Sequence, residues 1–442
     1  MQPSEVNALE RGSKAAPITR QMAWVVLLLL LAKLLGAGKE ILLARAYGVG
    51  ALMDGYQFSL QMASWPVSIF FAICSAALVP AYAALRQQDP HAWQRLRAQV
   101  HGATLALALL ISAVWLWLCL ETPMLGAWGG LSAPAQAYAI QLAVPMTSLI
   151  AGGLYCGLLM AECISGQHQA STLLEATPAV VLGGLLLASA VPDAGTLLAG
   201  TVGGVLAQTT VLAGYTAIRM RLPVPSARWN HPAWPPLLAA LGALLMAQVL
   251  QAATGVVDQF WAARTGAGAV SVMGYANRLL FLVLGLGSVA VSRVLLPTLA
   301  GLSVAHAGQA RQLARRWALS VFGLSALGVL VLWPLAPWLV ALLFERGAFG
   351  PQDTLRVAYF LQVSWLQVPA ALAALVLIQQ VLAERRYRVL TVLAAVNLAV
   401  KLLGNAVFTP WIGLEGLALS SAAMQLATLL ILLLWWRASA HA

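Results

Sequence analysis

Apolar runs of about twenty residues recur along this chain, and they decide its solvent before any other feature is weighed. Each run is long enough to cross the hydrocarbon core of a bilayer as a helix, which satisfies its own backbone there. About twelve spans can be read: 20–46, 55–85, 96–120, 134–161, 171–191, 195–218, 234–262, 268–300, 315–343, 354–383, 388–409 and 413–436. Composition agrees: 61% of residues are hydrophobic and 9% charged, too few charges to cover a water-soluble surface. The predicted fold class is an all-α polytopic membrane protein.

The spans fall into two like halves. Ala44-Arg45-Ala46-Tyr47-Gly48 is echoed by Ala263-Arg264-Thr265-Gly266, Tyr56 by Tyr275, and Leu78-Val79-Pro80 by Leu295-Leu296-Pro297. The offsets are 218 for Gly48 to Gly266, 219 for Tyr56 to Tyr275 and 217 for Pro80 to Pro297. Further on, Ala161-Glu162 is echoed by Ala383-Glu384. An even number of spans separates the copies, which preserves their orientation in the membrane. The expectation is two pseudo-symmetric six-helix bundles, 20–220 and 232–437, with a linker at 221–231 and tails at 1–19 and 438–442. Two such halves facing one another enclose a central cavity in many transporters.

The net charge of +11 does not point to nucleic acid, because the basic residues gather in alternate loops. One side holds Arg11, Lys14, Arg20, Arg86, Arg95, Arg97, Arg219, Arg221, Arg228, Arg311, Arg315, Arg316, Arg385, Arg386, Arg388 and Arg437; the other holds Arg45, Arg264, Arg346 and Arg356. By the positive-inside rule both termini are cytoplasmic. The first apolar run has no small-residue cleavage pattern, so it reads as a retained span. Cys74, Cys119, Cys156 and Cys163 lie within spans and read as small buried hydrophobes. The histidines lack ligand spacing, and no phosphate-loop, zinc-protease or nucleophile-elbow motif is present. No catalytic residue, metal or cofactor is expected, and energy for transport must come from an ion gradient, the membrane potential or the cargo's own gradient.

Charges inside the spans are the candidate functional residues, because a charge at the bilayer centre costs about 3 kcal/mol or more and faces a bundle interior or wet cavity. They are Lys33, Lys39, Glu40, Glu175, Asp258, Arg278, Arg293 and Lys401. Lys33 and Glu40, seven apart, share a helix face. Gly36 and Gly38 permit a kink that would bring Lys39 beside Lys33 in one cationic site for an anionic substrate. Local charge compensation between Lys39 and Glu40, and snorkelling of Lys33, are the plainer readings. Arg278 can grip phosphate through two parallel hydrogen bonds. Arg293, near a span end, reads as a snorkelling anchor. Asp258 and Lys401 form a second cluster, with Asn397 one turn from Lys401. Pro66, Pro145 and Pro369 either hinge their helices or simply shape the bundle.

The stretch Ala32-Lys33-Leu34-Leu35-Gly36-Ala37-Gly38-Lys39-Glu40, continuing through Ala44-Arg45-Ala46-Tyr47-Gly48 to Asp54, resembles the opening of the MurJ (MviN) family. Tyr275-Ala276-Asn277-Arg278-Leu279 followed by Leu295-Leu296-Pro297 resembles its eighth helix, and Phe344-Glu345-Arg346-Gly347-Ala348-Phe349 its outer-loop segment. The resemblance implies a member of the multidrug/oligosaccharidyl-lipid/polysaccharide exporter superfamily in a bacterial inner membrane. Such a protein flips an undecaprenyl-diphosphate-linked glycan, either lipid II or a related polysaccharide repeat unit, to the outer leaflet by alternating access. Its partners would be that lipid-linked glycan and membrane lipid, with no nucleic acid; the alternative is an ion-coupled multidrug exporter. Carried over residue by residue, Lys33, Lys39, Glu40, Asp54 and Arg278 become substrate-binding positions. Some members hold sodium between helices seven, eleven and twelve, which maps onto Asp258, Asn397 and Lys401. Here the second acid of that set is a base. Both first-helix arginines of the family are lysines, and the region Ala63 to Phe71 lacks the family's second-helix arginine.

Overall fold

The computed structural model describes residues 27–28, 30–121, 130–168, 171–303, 307–384 and 386–440. The tail 1–19, the opening of the first span, Arg385 and residues 441–442 lie outside the described residues, as do the side chains of Arg293, Arg388 and Arg437. Among the described residues there are helices and no strand.

In chain order the helices are α1 (30–47), α2 (Ala51–Gln88, with a π turn at Cys74–Leu78), α3 (Pro90–Glu121), α4 (Ala133–Ala143), α5 (Thr147–Ser165), α6 (Ser171–Ala188) and α7 (Ala194–Met220). They continue with α8 (Trp234–Thr265), α9 (Ala269–Ser303), α10 (Ala307–Leu332), α11 (Ala336–Phe344), α12 (Pro351–Trp365), α13 (Val368–Ala383), α14 (Tyr387–Ile412) and α15 (Glu415–Ala440). Ten described helices are long and apolar enough to cross a membrane, or eleven when a bent pair counts as one span. The sequence suggests about twelve; the first of these, 20–46, lies partly outside the described residues, and α1 is not among those ten.

Two of the three prolines singled out in the spans lie at breaks. The expected span 134–161 is interrupted at 144–146, where Pro145 separates α4 from α5. Proline donates no backbone hydrogen bond and clashes with the preceding turn. Pro369 lies in the first turn of α13, which is bent by 42° from α12. Pro66 lies inside α2 without breaking it.

The chain packs as two compact units: Met1–Leu43 with Phe70–Val114 and Thr147–Leu237, and Ala44–Ile69 with Trp115–Met146 and Leu238–Ala442. Four of the five boundaries fall inside helices, the fifth lies between α4 and α5, and they do not coincide with the two halves of the repeat. Small residues close the contacts within each, as expected where neither lipid nor helix offers a hydrophobic drive and backbone proximity must supply the attraction. In the first unit, α7 presents Gly200 and Gly204, four apart, to α6. A Cβ at Gly200 would stand 2.3 Å from Leu182, and one at Gly204 2.8 Å from Pro178. In the second unit, Ala314 and Ala318 of α10 join a buried cluster with Ala370, Ala373 and Ala374 of α13. Large side chains turn outward instead: Leu109 is 71% and Leu324 74% exposed, which suits helices solvated by lipid tails.

Candidate functional site

The structured turns after α1 and α8 explain why the repeat is strongest there. Gly48 ends α1 with φ +59°, and its N–H reaches back to the carbonyl of Ala44 at 2.9 Å. The left-handed conformation favours glycine, and a Cβ there would stand 2.3 Å from the Ala348 carbonyl oxygen. Within the same unit Ala348 N–H donates to the Arg45 carbonyl at 2.9 Å. The Tyr275 hydroxyl donates to the Gly48 carbonyl at 3.0 Å, and its ring lies 5.4 Å from both Phe344 and Phe349. Three of the motifs singled out in the sequence thus form one knot.

Asp54, on the first turn of α2, is 2% exposed. Its Oδ2 accepts the Gly268 N–H at 2.6 Å and its Oδ1 the Ser271 N–H at 2.8 Å. These are donors at the start of α9 that no intrahelical carbonyl can reach, and a carboxylate there also meets the positive end of the helix dipole. Family likeness assigns Asp54 to substrate; the structure commits both its oxygens to backbone. Asp54→Ala is therefore expected to remove about 2 kcal/mol of stability, the scale of a charged hydrogen bond, with Asp54→Asn losing less. Thermal unfolding of the two variants in detergent checks the order, and an unchanged midpoint for Asp54→Ala would overturn it.

The second cluster is built along α14. Lys401 is 1% exposed, and its ammonium has three acceptors: Asp258 Oδ1 at 2.9 Å, the Leu417 carbonyl at 2.9 Å and the Ser421 hydroxyl. An ammonium has three donors, so its hydrogen-bonding capacity is met. The amide that joins Asp258 is Asn405, whose Nδ2 donates to Oδ1 at 3.1 Å. Asn397, expected alongside Asp258, instead accepts from the Thr428 hydroxyl at 2.7 Å. Asn397, Lys401 and Asn405 are spaced four apart and share a face of α14, so the Asn405 signal was present in the spacing.

The remaining candidates divide between the units. Lys39 pairs with Glu40 at 2.8 Å, and Glu40 is 7% exposed. Lys33 is exposed on α1 and interacts electrostatically with Glu175 of α6. The helix runs unbroken through Gly36 and Gly38, so Lys33 and Lys39 leave it roughly 120° apart at about 100° per residue. The kink that would align them is not seen. Arg278 is exposed on α9. Among the described residues no group of three or more His, Cys, Asp or Glu could hold a metal.

A family model described as lipid II flippase MurJ matches residues 43–441. The chain belongs to the MurJ family. It is 28% identical over 417 residues to a lipid II flippase MurJ of Burkholderia cenocepacia, covering 88% of this chain and 78% of that protein. Its fold is similar to that of a lipid II flippase MurJ in an inward closed conformation, with a TM-score of 0.80 at 17% identity over 94% of this chain and 87% of the other. It also resembles an inward-facing multidrug resistance MATE family transporter of the MOP superfamily, with a TM-score of 0.70 at 12% identity, over 92% of this chain and 94% of that one. This MurJ-family chain is a multi-pass inner-membrane protein and a transporter rather than an enzyme.

Two ion pairs of this MurJ-family chain escape a reading from sequence, because their arginines look like cytoplasmic loop charges. Arg97 on α3 is fully buried and holds Glu162 on α5 through two bonds, Nε to Oε1 at 2.9 Å and Nη2 to Oε2 at 2.7 Å. His101 adds a contact from Nε2 to Glu162 Oε1 at 3.0 Å, and its Nδ1 meets the Tyr155 hydroxyl at 3.0 Å. A carboxylate only accepts, so Nε2 carries the proton. In the second half, Arg311 on α10 holds Glu384 after α13 in the same forked way, at 2.9 and 3.2 Å. Burial acts to raise the Glu384 carboxyl, but hydrogen bonds from Arg311 and Gln380 and the charge of Arg386 hold it below its ordinary range. The echo of Ala161-Glu162 in Ala383-Glu384 was the legible half of this signal.

Proposed function

We propose that the chain moves an undecaprenyl-diphosphate-linked glycan, lipid II or a related polysaccharide repeat unit, from the cytoplasmic to the outer leaflet by alternating access. The observation that carries this reading is the match to the lipid II flippase model over 43–441. The in-membrane charges support it: Lys33, Lys39 and Arg278 place cations on apolar helices, where a diphosphate needs them and a cationic drug does not. Lysine and arginine attract phosphate strongly in a partly dehydrated cavity, where Coulomb interactions are less screened than in bulk water. No bond is made or broken; the protein binds the headgroup, and re-exposure to the other side follows from the halves 20–220 and 232–437 moving as bodies. Both termini are cytoplasmic in this reading, following the distribution of Lys and Arg.

The test is complementation. In a bacterium whose own lipid II flippase is depleted, the expected result is that expression of this chain restores growth and labelling of lipid II at the outer leaflet. In parallel, proteoliposomes carrying a polyprenyl-diphosphate repeat unit should show protein-dependent exposure of the glycan. Activity in neither assay, alongside efflux of cationic dyes by the same preparation, would replace the flippase reading with that of a multidrug exporter.

A further inference from the structure

The halves of the repeat are joined by a proline-rich segment, read from the sequence as a linker at 221–231 and running on to Ala233. Within the first unit this segment is stitched to the N-terminal part of α3. The chain leaves α7 through Arg221, a non-glycine residue at φ +55°, a conformation that persists only where surroundings hold it. Arg97, already forked onto Glu162, donates from Nη1 to the Met220 carbonyl at 3.2 Å and the Arg221 carbonyl at 3.3 Å. One residue on, the Ala98 carbonyl accepts the Ser226 N–H at 2.8 Å. Gly102 leaves room for that approach; a Cβ there would stand 2.3 Å from the Ser226 carbonyl oxygen.

The densest stitching is made by one side chain. Gln99 is 6% exposed. Its Oε1 accepts the Trp234 indole N–H at 2.7 Å and the His231 backbone N–H at 3.3 Å, and its Nε2 donates to Asn230 Oδ1 at 2.8 Å. Trp229 stacks on Trp234 at 5.1 Å, with an interplanar angle of 18°. Pro223, Pro225 and Pro232 restrict the backbone between these points. The boundary of the compact unit falls after Leu237, inside α8, and not in the proline-rich segment.

We propose that the segment from Arg221 to Trp234 is a fixed strap, fastened by Gln99, which carries the first turn of α8 with the first half throughout the transport cycle. A free tether would have no use for a buried glutamine that satisfies three groups of one short segment. A strap makes the link between the halves short and stiff.

Hydrogen exchange on the full chain in nanodiscs tests the fastening without reference to cargo. Amides of 224–234 are expected to exchange at least tenfold more slowly than those of an unstructured peptide. Gln99→Leu should accelerate them about tenfold while α5 stays protected. Trp234→Phe, which removes only the indole donor, should give a smaller acceleration and serves if Gln99→Leu misfolds. Free-peptide exchange in the unaltered chain, or no change in either variant, would overturn the proposal. The second arm rests on the flippase reading: Ala98→Cys with Ser226→Cys, joined by a short thiol cross-linker, should retain at least half of the uncross-linked transport rate. Loss of transport on cross-linking would show that the strap must detach, and would overturn its role in the cycle. Absence of transport before cross-linking would count against the flippase reading alone, and the exchange arm would still decide the fastening.

Discussion

Lys401→Met is expected to abolish transport and to lower stability by about 3–5 kcal/mol, the range for removing one partner of a buried ion pair. The Asp258 carboxylate would keep its Asn405 contact and lose the ammonium at 2.9 Å. Asp258→Asn combined with Lys401→Met should recover most of that stability, since a neutral amide and a thioether need no counter-charge. Thermal unfolding of the two single variants and the double variant separates these outcomes; a double variant no more stable than Lys401→Met would sink the pairing argument. The same geometry bears on coupling. Family likeness maps a sodium site onto Asp258, Asn397 and Lys401, and the lysine ammonium holds three acceptors there itself. A fixed internal cation satisfies the carboxylate and repels a second one. Transport is therefore expected to be unchanged when sodium is replaced by choline, whereas Lys401→Asp should make it sodium-sensitive. Sodium dependence in the unaltered chain that disappears in Asp258→Asn would refute this.

The fold was legible because lipid imposes a simple rule. A run of twenty apolar residues has few other options, and the repeat around Gly48 and Gly266 marks turns where both glycines take a positive φ, +59° and +143°. Breaks were less legible. Pro66, Pro145 and Pro369 look alike in sequence, yet Pro66 is absorbed by α2 while Pro145 ends α4. At the candidate site, residue types were readable and partners were not. Asp258 plainly needed a cation, and Lys401 supplied one, but the choice of Asn405 over Asn397 depends on where α8 and α15 meet α14. Arg97 and Gln99 were unreadable for a related reason. Their positions match those of solvated cytoplasmic residues, but Glu162 on α5 meets Arg97 and the returning segment from Met220 to Trp234 covers both.

Arg278→Ala is expected to reduce the initial rate of flipping about a hundredfold. Two charge-assisted hydrogen bonds to phosphate contribute about 1.5–3 kcal/mol each, and a loss of roughly 3 kcal/mol corresponds to about two decades. Arg278→Lys keeps the charge and loses the fork, so it should fall between the extremes. Lys33→Arg should be tolerated, because it adds donors and keeps the charge, while Lys33→Ala should weaken transport less than Arg278→Ala because no planar grip is lost. None of these should move the unfolding midpoint much, since Lys33 and Arg278 are exposed on their helices; this separates them from the Lys401 and Asp54 variants, whose effects run through stability. The measurement is the rate of glycan exposure in proteoliposomes at matched protein content. Full activity of a well-folded Arg278→Ala protein would remove Arg278 from the site. Equal losses for Arg278→Lys and Arg278→Ala would show that the forked geometry, not the charge, is what the diphosphate requires.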